Sequence, residues 1–301
     1  MTARPAIRRA IDWGELAPLR LRAREVSEGL YSGLHRSALR GAGVEFGGFR
    51  EYVPGDDLRW LDRRALLRHD RLVVRQFETE TDRAVCLLVD ASASMAFRGP
   101  SAPGAKFAFA AVVAAALARL AVSNGDPVSL AFAGGARSGA VGRAGGREQF
   151  ERVVAALEGM DAAGDAVADP SLLEAPLQAL ARSAKRGSIV VVLSDLLDWA
   201  PGAAERVAAL ASGGRVLVVV QTLDAAEVDF PFSGTVRLRG LEGGAVVETD
   251  ADVTRDAYLA SLAALTEEWR AAVVGRRGRF FRVTSSVPPL AVVRDIVKAV
   301  R

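Results

Sequence analysis

At 301 residues, half of them hydrophobic, with 39 basic against 36 acidic side chains, the chain can bury a large core and is far too apolar for intrinsic disorder. A single cysteine, Cys86, lies inside an apolar run, which excludes a disulfide framework and a cysteine-ligated zinc site. Lysine occurs only at Lys106, Lys185 and Lys298, and the arginines alternate with acids as in "DLRWLDRRALLRHDR". The high pI therefore reflects arginine usage rather than a one-signed, phosphate-tracking face, and no nucleic-acid partner is expected.

The N-terminus lacks the apolar core of a signal peptide, and the longest apolar stretch, "FAFAAVVAAALARLAV" (107–122), contains an arginine and falls short of a bilayer span. The expectation is a cytoplasmic protein with no membrane span. Residues 16–30 have the spacing of an amphipathic helix. A Gly-rich stretch (33–49) and a charged segment follow without a regular apolar repeat. Residues 1–83 are thus expected to pack as an N-terminal segment on the rest of the chain rather than fold alone.

From residue 84 to 301 apolar runs of strand length alternate with helical ones, which predicts an α/β domain built on a Rossmann-like, mostly parallel six-stranded sheet with helices on both faces. In chain order the predicted strands are 84–89, 128–132, 188–193, 215–221, 235–238 and 280–284. The predicted helices are 106–123, 147–157, 171–184, 203–211, 256–273 and 289–300. Turn signals separate them, among them "NGDP" (124–127), "AGGARSGAVGRAGG" (133–146) and "LEGG" (241–244).

The first of these strands ends in "VCLLVDASASMAF", with Asp90, Ser92 and Ser94 at every second position. Open α/β sheets place ligands at the carboxyl ends of their strands. One carboxylate and two hydroxyls are hard oxygen donors, suited to a small divalent cation such as Mg²⁺ or Mn²⁺. A second apolar strand, "IVVVLSD", ends in Ser194 and Asp195, and adjacent parallel strands would bring Asp195 near Asp90. As a bland alternative, Ser92 and Ser94 would merely cap the following turn.

Catalytic readings fit the spacing less well. A phosphoaspartate hydrolase would need a second acid where Ser92 stands. A serine hydrolase would need glycines flanking its nucleophile. The two histidines, His35 and His69, both lie in the N-terminal segment, and the Gly-rich stretch lacks the Gly-Lys-Ser/Thr of a P-loop. The expectation is a non-enzyme. The competing reading is a metal-dependent phosphohydrolase or nuclease using Asp90 and Asp195.

The D-x-S-x-S pattern at the end of the first strand, with a later strand-terminal Asp, resembles the metal-ion-dependent adhesion site of a von Willebrand factor type A domain. The segments "RSALRGAGVEFGGFREYVPGDDLRWLD" and "RLVVRQFETETDRAVCLLVDASASM", with the later "LRLRGLEGGAVVETD", are similar to the bacterial family called domain of unknown function 58. That resemblance implies a metal site of Asp90, Ser92, Ser94, Ser171 and Asp195, with Ser171 standing where the pattern usually has Thr. It also implies a protein–protein interaction module working as an adaptor with a MoxR-type AAA+ ATPase, whose acidic side chain, or that of its client, would complete the metal's coordination. In the N-terminal signature, Leu61-Asp62-Arg63 departs from the Ile-Asp-Trp of the family. Glu51, Asp56, Asp57, Arg59 and Asp62 are candidates there for a partner-contact surface, or for ion pairs among themselves.

Overall fold

The computed structural model describes residues 11–33, 44–51, 73–79, 83–135, 139–197 and 199–300. The chain divides into two compact units, one of residues 38–83 and one that joins residues 1–37 to 84–301. The smaller unit contains strands β1 (Val44–Glu51) and β2 (Val73–Thr79), paired antiparallel with an irregularity between Phe46 and Gly48. Of the candidate contact residues, Asp56, Asp57, Arg59 and Asp62 lie outside the described residues. Glu51 closes β1 opposite Val73.

The larger unit begins with helix α1 (Leu19–Gly33) and continues through β3 (Val85–Asp90), α2 (Lys106–Ser123), β4 (Val128–Ala133), β5 (Ala140–Ala144), α3 (Arg147–Glu158), α4 (Ser171–Ser183) and β6 (Ile189–Ser194). Its second half comprises α5 (Ala203–Ala208), β7 (Val216–Leu223), α6 (Ala225–Asp229), β8 (Thr235–Arg239), β9 (Val246–Asp250), α7 (Ala251–Gly275), β10 (Arg279–Thr284) and α8 (Pro289–Ala299). The main sheet has six strands in the order β10-β7-β6-β3-β4-β5. All its neighbours are parallel except β5, which runs antiparallel to β4. This is the α/β architecture expected from the alternation of apolar runs.

Strand β3 is buried along its whole length, and its alternating side chains feed two cores. Val85, Leu87 and Val89 face the layer that holds α2, with α1, α3 and α8 also contributing. Cys86 and Leu88 face the opposite layer, with residues of α4, α5 and α7. Cys86 is thus a small core residue. On the first face α1 buries Leu19, Ala23, Val26 and Leu30, so this part of the segment before residue 84 shares the core of the α/β unit.

Helix α2 corrects the reading of its apolar stretch as too short. Over Lys106–Ser123 its length and composition would permit a membrane crossing, but 83% of it is buried inside the protein. An all-round apolar helix needs an apolar environment, and here the sheet and the neighbouring helices supply it.

Two strands also differ from expectation. The segment 235–238 does form a strand, β8, but it pairs only with β9 in a separate hairpin. The sixth strand of the main sheet is β5, inside the Gly-rich stretch read as a turn. As an edge strand β5 buries only Val141 of its five residues, so it carries no apolar run to announce it.

The strand order positions a site. From β3 the chain moves to β4 and β5 on one side, and it returns to β6 and β7 on the other. The carboxyl ends of β3 and β6 therefore flank the point where the order reverses, the place where open α/β sheets generally bind ligands.

Candidate functional site

Asp90 ends β3 with 2% of its surface exposed, and Ser92 and Ser94 are buried beside it. The Ser92 N–H donates to Asp90 Oδ1 at 2.9 Å, which curls the chain directly after the strand. The loop is fixed further by Ala91 N–H donating to the Ala133 carbonyl at 2.7 Å and Ala93 N–H to that of Gly164 at 2.8 Å. The Ser92 and Ser94 hydroxyls meet at 3.0 Å, and Ser92 makes no side-chain cap to the following turn. Gly134, at φ +69°, packs against the site from the end of β4, where an added Cβ would stand 2.8 Å from Asp90 Oδ1. Only a glycine accommodates both that backbone angle and that approach.

On the other side of Asp90, the Ser194 hydroxyl donates to its Oδ2 at 2.5 Å, and the Trp199 indole N–H reaches the same oxygen at 3.3 Å and Ser194 Oγ at 3.1 Å. These donors are all neutral, and among the described residues no cation pairs with Asp90. Burial and the neighbouring Asp195 carboxylate push the Asp90 carboxyl up to about 6, against the pull of the Ser194 and Ser92 hydrogen bonds.

Asp195 has a different arrangement. Its Oδ2 accepts from Lys106 Nζ at 2.8 Å and its Oδ1 from the Leu197 N–H at 3.1 Å. The same Lys106 ammonium lies 2.6 Å from Glu227 Oε1. Burial works to deprotonate Lys106, but Asp195 and Glu227 outweigh it and hold the pKa above the ordinary lysine range. Glu227 is pushed up by its own burial, with Lys106 pulling the other way. It is held by a capping box at the start of α6, in which its Oε2 accepts from the Asp224 N–H at 2.8 Å.

The remaining predicted ligand, Ser171, begins α4 at an exposed position, and its hydroxyl donates to Asp169 Oδ1 at 2.6 Å. Its neighbour Leu172 offers a backbone carbonyl to the Gly134 N–H at 2.8 Å. The α4 loop thus borders the site through main chain, with the Ser171 hydroxyl turned to Asp169. Among the described residues, no group of three or more His, Cys, Asp and Glu side chains could hold a metal ion. Any cation at Asp90 would therefore depend on serine hydroxyls rather than on a cage of acids.

Sequence reasoning missed four contributors. Lys106 had a signal, being one of only three lysines and opening a helix whose one other charged residue is Arg119. Glu227 had one too, as the last residue of the D-x-x-E pattern of a capping box. Trp199 stands in a loop with no pattern. Glu242, from the turn between β8 and β9, is 7% exposed and accepts from the Ser94 N–H at 3.2 Å and the Ala166 N–H at 3.0 Å.

A protein-family model described as "Protein of unknown function DUF58" matches residues 48–268. The chain belongs to this family. It is 30% identical over 253 residues to an uncharacterised protein of Mycobacterium tuberculosis, covering 83% of this chain and 77% of that one. Among solved structures, an aerotolerance-related membrane protein from Bacteroides fragilis is similar over 72% of this chain and 98% of its own, at 18% identity and a TM-score of 0.44. A structure titled von Willebrand factor type A from Catenulispora acidiphila is similar over 76% of this chain and 45% of its own, at 12% identity and a TM-score of 0.41. The first of these titles corrects the cytoplasmic expectation. That neighbour is described as a membrane protein, and the cytoplasmic expectation is set aside.

Proposed function

We propose that this DUF58 protein is a non-catalytic protein–protein interaction module that recognises an acidic side chain at the Asp90–Ser92–Ser94 site, with a divalent cation between the two. Its family resemblance makes a MoxR-type AAA+ ATPase, or that enzyme's client, the partner, with this chain as adaptor. The observation that carries the reading is a buried carboxylate, Asp90, met among the described residues only by neutral donors, with two hydroxyls beside it. Such a group is costly to ionise without a cation.

The donor set fits a hard cation, because Asp90, Ser92 and Ser94 all offer oxygen. Asp90, Ser92 and Ser94 would hold it. Bound there, Mg²⁺ or Mn²⁺ would supply positive charge and a coordination position for a partner's carboxylate. Asp195 would contribute charge at a distance, since its oxygens serve Lys106 and Leu197. That engagement also weakens the phosphohydrolase reading, which needs Asp90 and Asp195 as joint metal ligands.

Thermal melting across a Mg²⁺ and Mn²⁺ series tests the proposal. A native-state ligand stabilises by RT ln(1 + [L]/Kd), so the melting temperature should climb with metal concentration and Asp90→Ala should abolish the rise. A wild-type protein indifferent to millimolar Mg²⁺ and Mn²⁺ would sink the cation.

A further inference from the structure

The β8–β9 hairpin stands apart from the main sheet, and its strands are largely exposed, including Val246 at 45% and Val247 at 54%. Its turn behaves in the opposite way. Glu242 is buried there and sets its two carboxylate oxygens on the backbone N–H groups of Ser94 and Ala166, while the Gly243 N–H donates to Asp165 Oδ2 at 3.0 Å. At its base the hairpin meets the start of α7, where the Ala251 N–H donates to the Gly234 carbonyl at 2.8 Å. The Gly234 N–H in turn donates to Asp252 Oδ2 at 2.9 Å, and with φ +65° and an open Cβ position no neighbouring side chain packs on this glycine. This two-stranded ribbon with exposed faces is fastened at two places, at its root by hydrogen bonds to the start of α7 and at its tip by Glu242 and Asp165.

Two amides from separate loops that converge on one carboxylate form a carboxylate subsite by themselves, since fixed N–H dipoles favour an anion without any metal. One of the two belongs to Ser94, whose hydroxyl faces Ser92 in the site described above. We infer that the β8–β9 hairpin is a latch: Glu242 fills in cis the carboxylate subsite of Ser94 and Ala166, and a partner's acidic side chain takes those two amides when the hairpin lifts. The inference rests on reading the site as one that recognises acids. It adds an occupant, supplied by the chain itself, that a partner must displace. A tethered carboxylate competes at an effective concentration on the order of millimolar, so it masks weak external acids and yields to a multivalent protein surface.

Acetate serves as the probe, titrated without divalent cation into wild type and Glu242→Ala while the Ser94 and Ala166 backbone amide resonances are followed. The variant should saturate at about tenfold less acetate than wild type, in keeping with removal of a tethered competitor. In wild type both amides should be protected from hydrogen exchange, and Glu242→Ala should release them. Equal acetate midpoints, or equal exchange in the two proteins, would overturn the latch. Should Glu242→Ala fail to fold, Glu242→Gln is titrated instead; it keeps the shape with a weaker acceptor, and an acetate midpoint equal to wild type would again overturn the idea. The metal series above reads a different quantity. An acetate difference without a metal response removes the cation and keeps the latch, whereas a metal response without an acetate difference removes the latch alone.

Discussion

The ends of β3 and β6 are near copies in sequence, each an apolar run closing on a buried acid, yet their carboxylates live under opposite electrostatic regimes. Asp195 shares a buried ammonium, Lys106, with Glu227. Asp90, on the neighbouring strand, has hydroxyl, amide and indole donors and, among the described residues, no cation. The difference separates two jobs that one motif can do. A buried acid with its own cation is structural, because its charge is already matched. A buried acid without one is a standing demand for positive charge, and Asp90 sits where the strand order reverses.

Removing the matched cation should give the largest effect. In Lys106→Met, Asp195 and Glu227 would remain buried without compensation, and breaking such a pair typically costs about 3–5 kcal/mol. Urea denaturation at pH 7 should show this loss, and Asp195→Asn in the same chain should restore part of it. If Lys106→Met unfolds within the error of wild type, Asp195 is no better matched than Asp90 and the contrast between the strand ends disappears.

Removing the unmatched charge should act in the opposite direction. The Asp90 carboxyl has a native pKa raised from 3.8 to about 6. Its contribution to stability is therefore present below pH 3.8 and lost as pH rises through about 6. Ionised Asp90 accordingly weakens the metal-free fold at pH 7, by up to about 3 kcal/mol at 1.36 kcal/mol per unit. Asp90→Asn should raise stability at pH 7 in chelator, leave it nearly unchanged at pH 3.5, and flatten the pH profile between. A variant less stable than wild type at pH 7 would mean that the charge is already compensated.

What could be read from the sequence follows from where each signal resides. The runs of β3, β6 and β7 are long, apolar and buried on both faces, so composition alone announces central parallel strands. Edge strand β5 and hairpin β8–β9 bury little, and nothing in their residues distinguishes a sheet neighbour from a separate ribbon. The same division runs through the site. Asp90, Ser92 and Ser94 are contiguous and their spacing is visible as a pattern. Lys106, Glu227 and Glu242 reach the neighbourhood from distant elements, and only the topology brings them there. Ser171 shows the converse, since its place along the chain suggested a ligand while its hydroxyl bonds to Asp169 two residues away.

The smallest effect expected sharpens the same contrast, through the Trp199 indole. Its N–H bridges Asp90 Oδ2 and Ser194 Oγ, and its ring packs edge-on to Trp269 at 5.6 Å. Trp199→Phe would keep an aromatic face while deleting the donor. Because the bond to Asp90 is long, at 3.3 Å, the loss should be about 1 kcal/mol at pH 7, below the range of about 1.5–3 kcal/mol for a well-formed hydrogen bond to a charged acceptor. The acceptor must be charged for the full effect, so the deficit should shrink at pH 4.5, where Asp90 is protonated. Paired urea melts at the two pH values measure it. A deficit of the same size at both would assign Trp199 to packing against Trp269, leaving Ser194 and the Ser92 amide as the donors that hold the unmatched carboxylate.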